Sequence, residues 1–567
     1  MPDDSALGGE PDGGARYRFG VLERRGLVAG WRAGQVAALG AGLLLAVGIF
    51  RVLPSLPGAV AALCALGVSV WAATWPVRGR TVEEWAPDAL RYVSERLLGH
   101  SLRRAMAPES GFVSPLAATP GERPFPAGRH RGRAGGHASG AFPAGRARGV
   151  LVPGPFDAMS IMEVPLGARG MSGEPASHGV GRGVGRGVAR GLGQESVGVL
   201  YDAARRTYTV VLAGRSPGFL LLEASQRDGR VASWSRVLAA TACEGTRIHR
   251  IQWLVRSFPD GAGGPRRSMR ERATLEASSP PVRSYEGLID EVGRSAESRE
   301  VLLAISVRAK PGRGRGLLGN GGFAGLFGGR SRTGVEQGQR ATVHSESCAA
   351  LLAEAASLKM RLADADVYAD GPLGPGALGG VLSGAFSDPG GEAPWRAWPW
   401  PMALQAEWGR VRVDGTWHAT YWVEEWPRLD VAADFLAPLL LVRGARRTVS
   451  LVMEPMSPAA AARQVEQRRT AGIADAELRS RGGFLATARR LREEETLARR
   501  EAELADGHGQ LRFSGYVTVS APDPDALDQG CERTLQAAAQ SGLALRLCYG
   551  DQMASFAFCM PLCRGLG

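Results

Sequence analysis

Two long apolar runs lie near the start of the chain. Residues 33–50 and 58–77 contain no charged side chain and are rich in Leu, Ala, Gly and Val. Each approaches the ~20 residues that a helix needs to cross the hydrocarbon core of a bilayer. The short link between them contains two prolines and leaves room only for a tight turn. We expect a transmembrane helical hairpin over 33–80, preceded by a cytoplasmic segment over 1–32.

Aromatic and basic residues flank both runs. Tryptophan rings prefer the membrane interface, and an excess of arginine marks the cytoplasmic side. Five arginines lie between residues 16 and 32 and two at 78 and 80, whereas Arg51 alone lies between the runs. We therefore expect a two-pass protein of the inner (plasma) membrane, with both termini and most of the chain in the cytoplasm. The predicted anchoring residues are Trp31, Arg32, Arg51, Trp71, Trp75 and Arg78.

Two other interpretations of the apolar runs exist. Arg24 and Arg25 resemble the twin arginines of an export signal. However, Trp31 and Arg32 interrupt the stretch that follows, and a second apolar run comes at once. A buried helical hairpin in a soluble core is the other alternative.

Helical spacing continues directly after the second run. Trp85, Leu90, Val93 and Leu97 form a predicted apolar stripe on a helix over 81–104, within a juxtamembrane segment over 81–107. Such a helix either lies along the inner leaflet or is an ordinary packing helix.

Residues 108–193 are rich in Gly, Pro and Arg. This composition buries too little apolar area to offset the entropy of ordering, so we expect a mostly disordered linker with an ordered island over 149–166. Its arginines are candidate contacts for anionic lipid or single-stranded nucleic acid, or they are solvated and bind nothing. They are Arg129, Arg131, Arg133, Arg146, Arg148, Arg182, Arg186 and Arg190.

Alternating strand and helix patterns begin at Val197. Apolar runs over 197–201 and 208–212 predict a strand pair, and a helix over 226–243 follows. The same alternation continues through an α+β domain over 194–390, which contains a Gly/Arg loop over 308–335.

A tryptophan-rich stretch follows over 391–456 and predicts a β-containing subdomain. Dense aromatic residues are typical of a core or of a protein interface, and a base-stacking platform is the alternative. The candidate partner interface consists of Trp395, Trp398, Trp400, Trp417, Trp422 and Trp426.

The last part of the chain predicts an arm and a small unit. Residues 457–508 read as a long charged helical arm, broken or bent at Gly472 and after residue 481. Residues 509–567 read as a βαββ unit whose last strand is Ala554 to Met560, a pattern that resembles part of a ferredoxin-like fold. The predicted class is α+β: a transmembrane hairpin, cytoplasmic ferredoxin-like or βαβ sandwich units and a charged arm.

Composition removes one class of function. Of 68 basic residues only Lys310 and Lys359 are lysines, and neither lies in a phosphate-binding loop, which requires one. A P-loop motor is therefore excluded for this sequence. The net charge of +12 favours anionic neighbours, and seven cysteines without a C-x-x-C pair favour free thiols in a reducing compartment.

No catalytic constellation emerges from the motifs. Gly214-Arg-Ser-Pro-Gly218 has the pattern of a nucleophile elbow, but Pro217 follows the serine and has no N–H for an oxyanion. Cys559 and Cys563 stand four apart without further ligands and read as buried thiols. We expect no enzyme activity, no cofactor and no metal.

Three stretches of the sequence resemble a known family. They are Arg16-Tyr-Arg-Phe-Gly with Leu22 to Arg32 and the apolar hairpin, Trp398-Pro-Trp-Pro-Met402 with Asp414 to Pro427, and Ala502 to Val517 with Met560-Pro-Leu-Cys-Arg-Gly565. Together they resemble an actinobacterial family of membrane proteins from conjugative elements. In that family a PrgI-like two-helix piece precedes a region similar to the N-terminal, non-motor part of the VirB/TrbE/CagE conjugation ATPases.

The resemblance implies a function in conjugative DNA transfer or type IV secretion. Met560 to Gly565 takes the place of the segment that precedes the motor domain in the related ATPases, so the motor is expected on another polypeptide. The implied role is a membrane-anchored structural component that scaffolds that ATPase and contacts other inner-membrane subunits and lipid, with self-association left open. The alternative is a membrane-tethered nucleic-acid-binding factor that acts through its Arg/Gly-rich segments, with direct nucleic-acid contact left open.

Overall fold

A computed structural model of the chain describes residues 33–74, 82–97, 102–104, 113–115, 154–166, 196–309, 332–386, 399–481, 497–504 and 509–566, with short gaps inside some of these ranges. The described residues form a mixed α+β structure around one sheet, as the sequence predicted at this coarse level.

The helices are α1 (Ala33–Val52), α2 (Leu56–Thr74), α3 (Val82–Leu97), α4 (Ala224–Thr241), α5 (Pro280–Gly293), α6 (Arg332–Ala363), α7 (Pro375–Ser383), α8 (Ala437–Leu441), α9 (Pro458–Arg481), α10 (Pro524–Gln540) and α11 (Gln552–Phe558). A further helical segment covers 497–504.

The strands are β1 (Leu102–Arg104), β2 (Val113–Pro115), β3 (Met159–Pro165), β4 (Ser196–Asp202), β5 (Thr207–Arg215), β6 (Ile248–Pro259), β7 (Glu297–Arg308), β8 (Tyr368–Pro372), β9 (Ala403–Ala406), β10 (Val411–Val413), β11 (Thr416–Glu425), β12 (Arg446–Met456), β13 (Gln510–Ala521) and β14 (Ala544–Leu547). Their pairing is antiparallel except between β2 and β3.

The sheet consists of two halves with the same order of elements. The first half runs β5-α4-β6-α5-β7-α6-β8-α7, and the second runs β11-α8-β12-α9-β13-α10-β14-α11. The strand order is β8-β5-β7-β6 in the first and β14-β11-β13-β12 in the second, and the antiparallel pair β6–β12 joins them. Strands from the three units predicted over 194–390, 391–456 and 509–567 therefore pair within one continuous sheet.

The sheet is strongly curled. Its path of twelve strands begins with β1 and ends with β2. A flat sheet of that width would hold its edges about 50 Å apart. The chain from Arg104 to Val113 reaches at most about 30 Å even when fully extended, so the two edges must approach each other. Consistent with this, Phe156, beside β3, lies 5.7 Å from Trp400, beside β9, between ring centroids.

The two faces of the sheet carry different helices. On the inner face, α7 and α11 pack into one apolar cluster with Phe156, Trp400 and residues from both sheet ends. On the outer face, α4 and α6 cover the first half, while α8 and α10 cover the second. The short helices α7 and α11 are thus enclosed by the curl, which explains why their apolar side chains are almost fully buried.

Each half carries a helical insertion at the tip of a hairpin. Pro259 pairs with Glu297 across the first insertion, which contains α5, and Met456 pairs with Gln510 across the second, which contains α9. Since β6 and β12 are antiparallel neighbours, the insertions project from opposite ends of the sheet. The second insertion is the predicted arm. Its helix α9 begins after Ser457 as expected and continues through Gly472, so the arm is not broken at that glycine.

Two predicted elements near the ends of the chain are wrong. The strand predicted from Ala554 to Met560 is the helix α11, so the C-terminal unit is βαβα and not βαββ. Its buried residues Met553, Phe556 and Ala557 follow helical spacing, although the run also alternates like a strand. The helix predicted over 81–104 ends at Leu97, and 102–104 pairs with β9 instead.

Candidate membrane-attachment and docking site

Helix α1 is the clearest membrane candidate among the described residues. The stretch Gly34–Val52 is long and apolar enough to cross a bilayer, and only 11% of it is buried. A core helix of a soluble protein passes the same test of length and composition but is mostly buried. A signal sequence also passes it. The second helix is apolar over the shorter stretch Leu56–Trp71.

Helices α1 and α2 lie side by side and are joined by side-chain hydrogen bonds. Gln35 Nε2 donates a hydrogen bond to the Ala73 carbonyl at 2.8 Å, and Ser69 Oγ donates to the Ala38 carbonyl at 2.8 Å. Gly42 faces Ser69 so closely that a Cβ at this position would lie 2.2 Å from Ser69 Oγ. The two helices therefore depend on a small residue at their crossing.

An aromatic cluster attaches α3 to the sheet. The Trp85 ring lies 5.6 Å from Trp408, in the β9–β10 turn, and 5.2 Å from Tyr549, in the link between β14 and α11. The Tyr92 ring lies 5.1 Å from Trp408. Beside these rings, Arg91 Nη1 approaches Asp551 Oδ1 at 3.1 Å. Because α3 also contacts α1 and α2, this cluster joins the apolar helices to the body.

Trp85 does not belong to the apolar stripe that the sequence predicted. Leu90, Val93 and Leu97 are 70%, 50% and 82% exposed, whereas Trp85 faces the sheet. At 3.6 residues per turn, Trp85 lies roughly 110° around the helix from the centre of that stripe. Helix α3 thus has two separate apolar faces, and only the aromatic one is covered by the body.

Of the described tryptophans of the predicted interface, Trp400 is buried and the others are partly buried. Trp400 is buried in the inner cluster. Trp417 is half-buried beneath Arg410 and Arg412, whose guanidinium carbons lie 5.0 and 5.6 Å from its ring. Trp422 Nε1 donates to Ser514 Oγ at 2.9 Å.

The remaining predicted residues divide between described and undescribed parts of the chain. Trp426 packs against Phe513, with ring centroids 5.3 Å apart. Arg51 lies in the last turn of α1, and Trp71 is 52% exposed on α2. Outside the described residues lie Trp31, Arg32, Trp75, Arg78, Trp395 and Trp398, together with the linker arginines 129, 131, 133, 146, 148, 182, 186 and 190 and most of the loop 308–335.

Residues 559–566, the C-terminal strap, cross the inner face and join the halves. Gln252 of β6 holds the strap through its side chain: Cys563 N donates to Gln252 Oε1 at 2.7 Å, and Gln252 Nε2 donates to the Phe558 carbonyl at 2.8 Å. Farther along, Arg564 Nη2 donates to Asp202 Oδ2 at 2.7 Å, at the β4–β5 turn. Burial alone would raise the pKa of Asp202, but the Arg564 guanidinium outweighs it and holds the pKa below 3.8.

A cavity of about 380 Å³ opens where the strap, α3 and the β4–β5 turn meet. Arg91, Arg205 and Arg564 line it. Each of these arginines already faces a carboxylate, Asp551 in the first case and Asp202 in the other two. The positive charges that line the cavity are therefore already paired with carboxylates of the protein.

The arm is anchored at its base. Ala461 and Val465 of α9 are buried, whereas most of the described side chains over 466–473 are exposed, and Ile473 is 64% exposed. Arg469 Nη1 pairs with Glu501 Oε1 at 2.9 Å, which places the segment 497–504 alongside α9. Single exposed apolar side chains are common on protein surfaces, so Ile473 offers a position at which docking can be tested and does not define a docking surface by itself.

The described cysteines and histidines do not form a metal centre. Within the described ranges, no group of three or more His, Cys, Asp or Glu side chains is placed to hold an ion. Cys559 and Cys563 are buried, as predicted, and burial raises the pKa of each thiol to about 12. Such thiols are unreactive at neutral pH.

As the pH falls from 7 to 5, the His418→Asn variant should lose less of its free energy of unfolding than the wild type. His418 is fully buried with Nδ1 2.8 Å from Ser520 Oγ, and burial, followed by the charge of Arg446, lowers its pKa well below 6.5. Below that pH the unfolded chain binds a proton that the folded protein does not. The free energy of unfolding then falls by ~1.4 kcal/mol per pH unit for each such group.

Thermal or urea unfolding between pH 7 and pH 5 measures this slope. His249, whose pKa burial lowers to about 4, adds an equal slope that the His418→Asn variant keeps. Identical slopes in the variant and the wild type would contradict the assignment.

Compared with models of known protein families, the chain matches none, and it matches no curated protein either. The described residues thus define an α+β protein with one curled sheet and an N-terminal helix that is apolar enough to cross a membrane.

Proposed function

We propose that this protein is a membrane-anchored structural component of a conjugative DNA-transfer or type IV secretion-like apparatus, and that it scaffolds a separately encoded ATPase at the inner membrane. The observation that carries the proposal is the aromatic attachment of α3, which joins two exposed apolar helices to a body with a projecting arm. This arrangement suits a protein that holds a soluble partner at a fixed place beside a bilayer.

The proposed apparatus follows from the sequence resemblance, and the packing of its motifs is in keeping with one functional unit. The stretch 414–427 forms β11, and 502–517 leads into β13, its direct neighbour. The strap then returns to β13, because Tyr516 Oη donates to the Gly565 carbonyl. Stretches that are distant in sequence thus build one part of the body.

Each half of the body is proposed to be a ferredoxin-like unit. Strands 1 to 4 of each half have the spatial order 4-1-3-2 with helices after the first and third strands, which is the βαββαβ arrangement of that fold. Two such units side by side give a broad platform from which the insertions project in opposite directions.

The apolar helices are proposed to form a two-pass anchor with both ends in the cytoplasm. Helix α1 has 20 residues. At 1.5 Å per residue such a helix spans about 30 Å, the thickness of the hydrocarbon core. The excess of arginines outside the pair, five before α1 and two at 78 and 80 against the single Arg51 between the helices, supports this orientation.

The Gly42→Leu variant should separate the two helices in the membrane. Small residues let membrane helices approach closely, and the leucine side chain would occupy the space of Ser69 Oγ. Cysteines introduced at Ala38 and Ser69 in a chain without Cys64 would report the contact, and their disulfide yield should fall several-fold in the variant. Gly40→Leu is the matched control, because nothing lies within 4 Å of its Cβ position. Equal yields in both variants would refute the close crossing.

A crosslinked pull-down of the tagged full-length chain from native membranes tests the function. We expect a P-loop ATPase and other membrane subunits to co-purify. The Ile473→Asp variant on the arm should recover at least about tenfold less ATPase, the effect of losing 1.4 kcal/mol or more from a contact hot spot. Leu429→Asp, at an 80% exposed loop position, is the matched control and should recover the wild-type amount.

The outcome also separates the two functional hypotheses. Recovery of DNA alone, with binding that declines steeply as salt rises, would replace the scaffold with the membrane-tethered nucleic-acid-binding factor. Recovery of the ATPase by both aspartate variants would keep the scaffold and place its docking surface away from Ile473.

A further inference from the structure

The exposed stripe of α3 is an apolar surface that the folded body leaves uncovered. Leu90, Val93 and Leu97 follow the spacing i, i+3 and i+7 and so share one side of the helix. All three are at least half exposed. An amphipathic helix with such a stripe either packs on a protein or lies in a membrane interface.

We infer that α3 lies along the bilayer surface, with this stripe in the boundary between lipid headgroups and acyl chains. The inference rests on the proposed function in one respect, since it assumes that α1 and α2 span the membrane. It adds a lipid-binding surface and an orientation for the body, neither of which the hairpin alone supplies.

The position of α3 along the apolar helices supports a lipid occupant. The hydrogen bond from Gln35 to the Ala73 carbonyl joins the beginning of α1 to the end of α2. Helix α3 begins at Val82, soon after that end, and contacts both helices. It therefore lies at one end of a pair about as long as the hydrocarbon core is thick, which is the depth of the interface.

The helix pair and α3 both carry exposed apolar side chains. Leu44 and Leu63, on α1 and α2, are 75% and 70% exposed, so their helices present apolar side chains outward just as the stripe does. A protein partner that covered the stripe alone would have to fit between this lipid-facing surface and the body. Lipid covers both surfaces without any further component.

The face of α3 that carries Trp85 and Arg91 holds the body at the depth of the membrane interface. Trp408 and Tyr549 pack on Trp85, and Asp551 pairs with Arg91, so the β9–β10 turn and the start of α11 face the bilayer. Tryptophan and tyrosine are the residues that interfaces favour, because their rings have both apolar and polar parts. The edge of the sheet that carries them is thus the membrane-proximal edge.

Site-directed spin labelling in vesicles tests the inference with the full chain. Single nitroxide labels would replace Leu90, Val93 and Leu97 in a background whose exposed cysteines, Cys64 and Cys243, are changed to alanine. The vesicles contain phosphatidylethanolamine and phosphatidylglycerol. Labels at Leu44 and Leu63 report the hairpin, and a label at Leu429, in an exposed loop of the body, reports water.

We expect the labels on the α3 stripe to be accessible to oxygen and protected from a water-soluble nickel chelate, as at Leu44 and Leu63. The Leu429 label should show the reverse. If the α3 labels behave like Leu429 while the hairpin labels remain in lipid, the inference is wrong and the anchor stands. If the α3 labels are protected from both reagents, a protein covers the stripe and the inference is again wrong. Chelate access at Leu44 and Leu63 would instead overturn the proposed anchor itself.

Discussion

The Arg564→Ala variant should lose about 3–5 kcal/mol of its free energy of unfolding, the typical cost of removing one partner of a buried ion pair. The side chains of Arg564 and Asp202 are only 5% and 4% exposed. Asp202 would keep the backbone N–H groups of Ala204 and Arg205, each 3.1 Å from Oδ1, and the half-exposed Arg205 guanidinium at 3.4 Å, but would lose the buried Arg564 guanidinium, its closest cation. Urea unfolding of the detergent-solubilised protein measures the difference.

A surface ion pair provides the matched control for this prediction. Arg499 and Glu503 form a pair at 3.0 Å whose side chains are 81% and 47% exposed. Arg499→Ala should therefore remain within about 0.5 kcal/mol of the wild type. If Arg564→Ala cost no more than Arg499→Ala, the Arg564–Asp202 pair would not be stabilising the attachment of the strap.

The effect of Arg564→Ala should also depend on pH. Because the folded pKa of Asp202 is lowered, its ion pair adds stability above pH 3.8, and this contribution is lost as the pH falls through the folded pKa. The gap between variant and wild type should consequently narrow in strong acid. An unchanged gap would show that Arg564 acts through packing and not through its charge.

The Arg447→Met variant should be destabilised by a similar amount, about 3–5 kcal/mol. The Arg447 side chain is fully buried on the outer face, where Nε donates to the Leu439 carbonyl at 3.0 Å and Nη2 to the Leu440 carbonyl at 2.8 Å. Burial lowers its pKa to about 10, which still leaves it charged at neutral pH. Methionine would fill the space but would leave these two carbonyls without their donor. Glu297 would lose one cation and would keep Arg299 at 3.6 Å and the Gly444 N–H at 3.0 Å.

A comparison of the thermal unfolding of Arg447→Met and Arg443→Met separates the loss of the buried contacts from the general effect of replacing an arginine with methionine. Arg443 lies four residues away and is exposed, so its replacement should be nearly neutral. Arg447→Lys should also be destabilising, because a single ammonium group cannot reproduce the spread donors of a guanidinium. A fully stable lysine variant would mean that only the charge of Arg447 matters.

Local patterns predicted the elements that are decided locally. The strand pair around residues 202–207 and the helix that follows were confirmed, because alternation and helical spacing are unambiguous there. Helix α10 also begins through a local contact, in which Asp523 Oδ1 accepts the N–H of Ala526. These features depend only on neighbours along the chain.

The elements that were predicted wrongly have sequence patterns that fit more than one kind of secondary structure. The apolar run 553–560 satisfies both strand and helix periodicity, and burial inside the curl, which involves residues hundreds of positions away, favours the helix. The same holds for the single sheet, because no local pattern specifies that β6 pairs with β12. The repetition of the two halves was not apparent from the sequence for the same reason, because what repeats is the order of the strands and not the identity of the residues.

The candidate site was only partly visible in the sequence. Tryptophan density drew attention to the stretch 391–456, yet its described tryptophans mostly serve the fold, and Trp408 is the one that contacts α3. Its partners Trp85 and Tyr549 come from distant parts of the chain. A helical projection that separates Trp85 from the leucine stripe could have shown that α3 has two partners.

The strap has a consequence for how the protein is made. Arg564 leaves the ribosome 362 residues after Asp202. At roughly 5–20 residues per second, this delay amounts to about 20–70 s. During that interval the first half has its strands and outer helices but lacks the segment that completes its inner face. The nascent chain therefore exposes an apolar surface during this interval. Chaperones that recognise such surfaces are expected to bind it then.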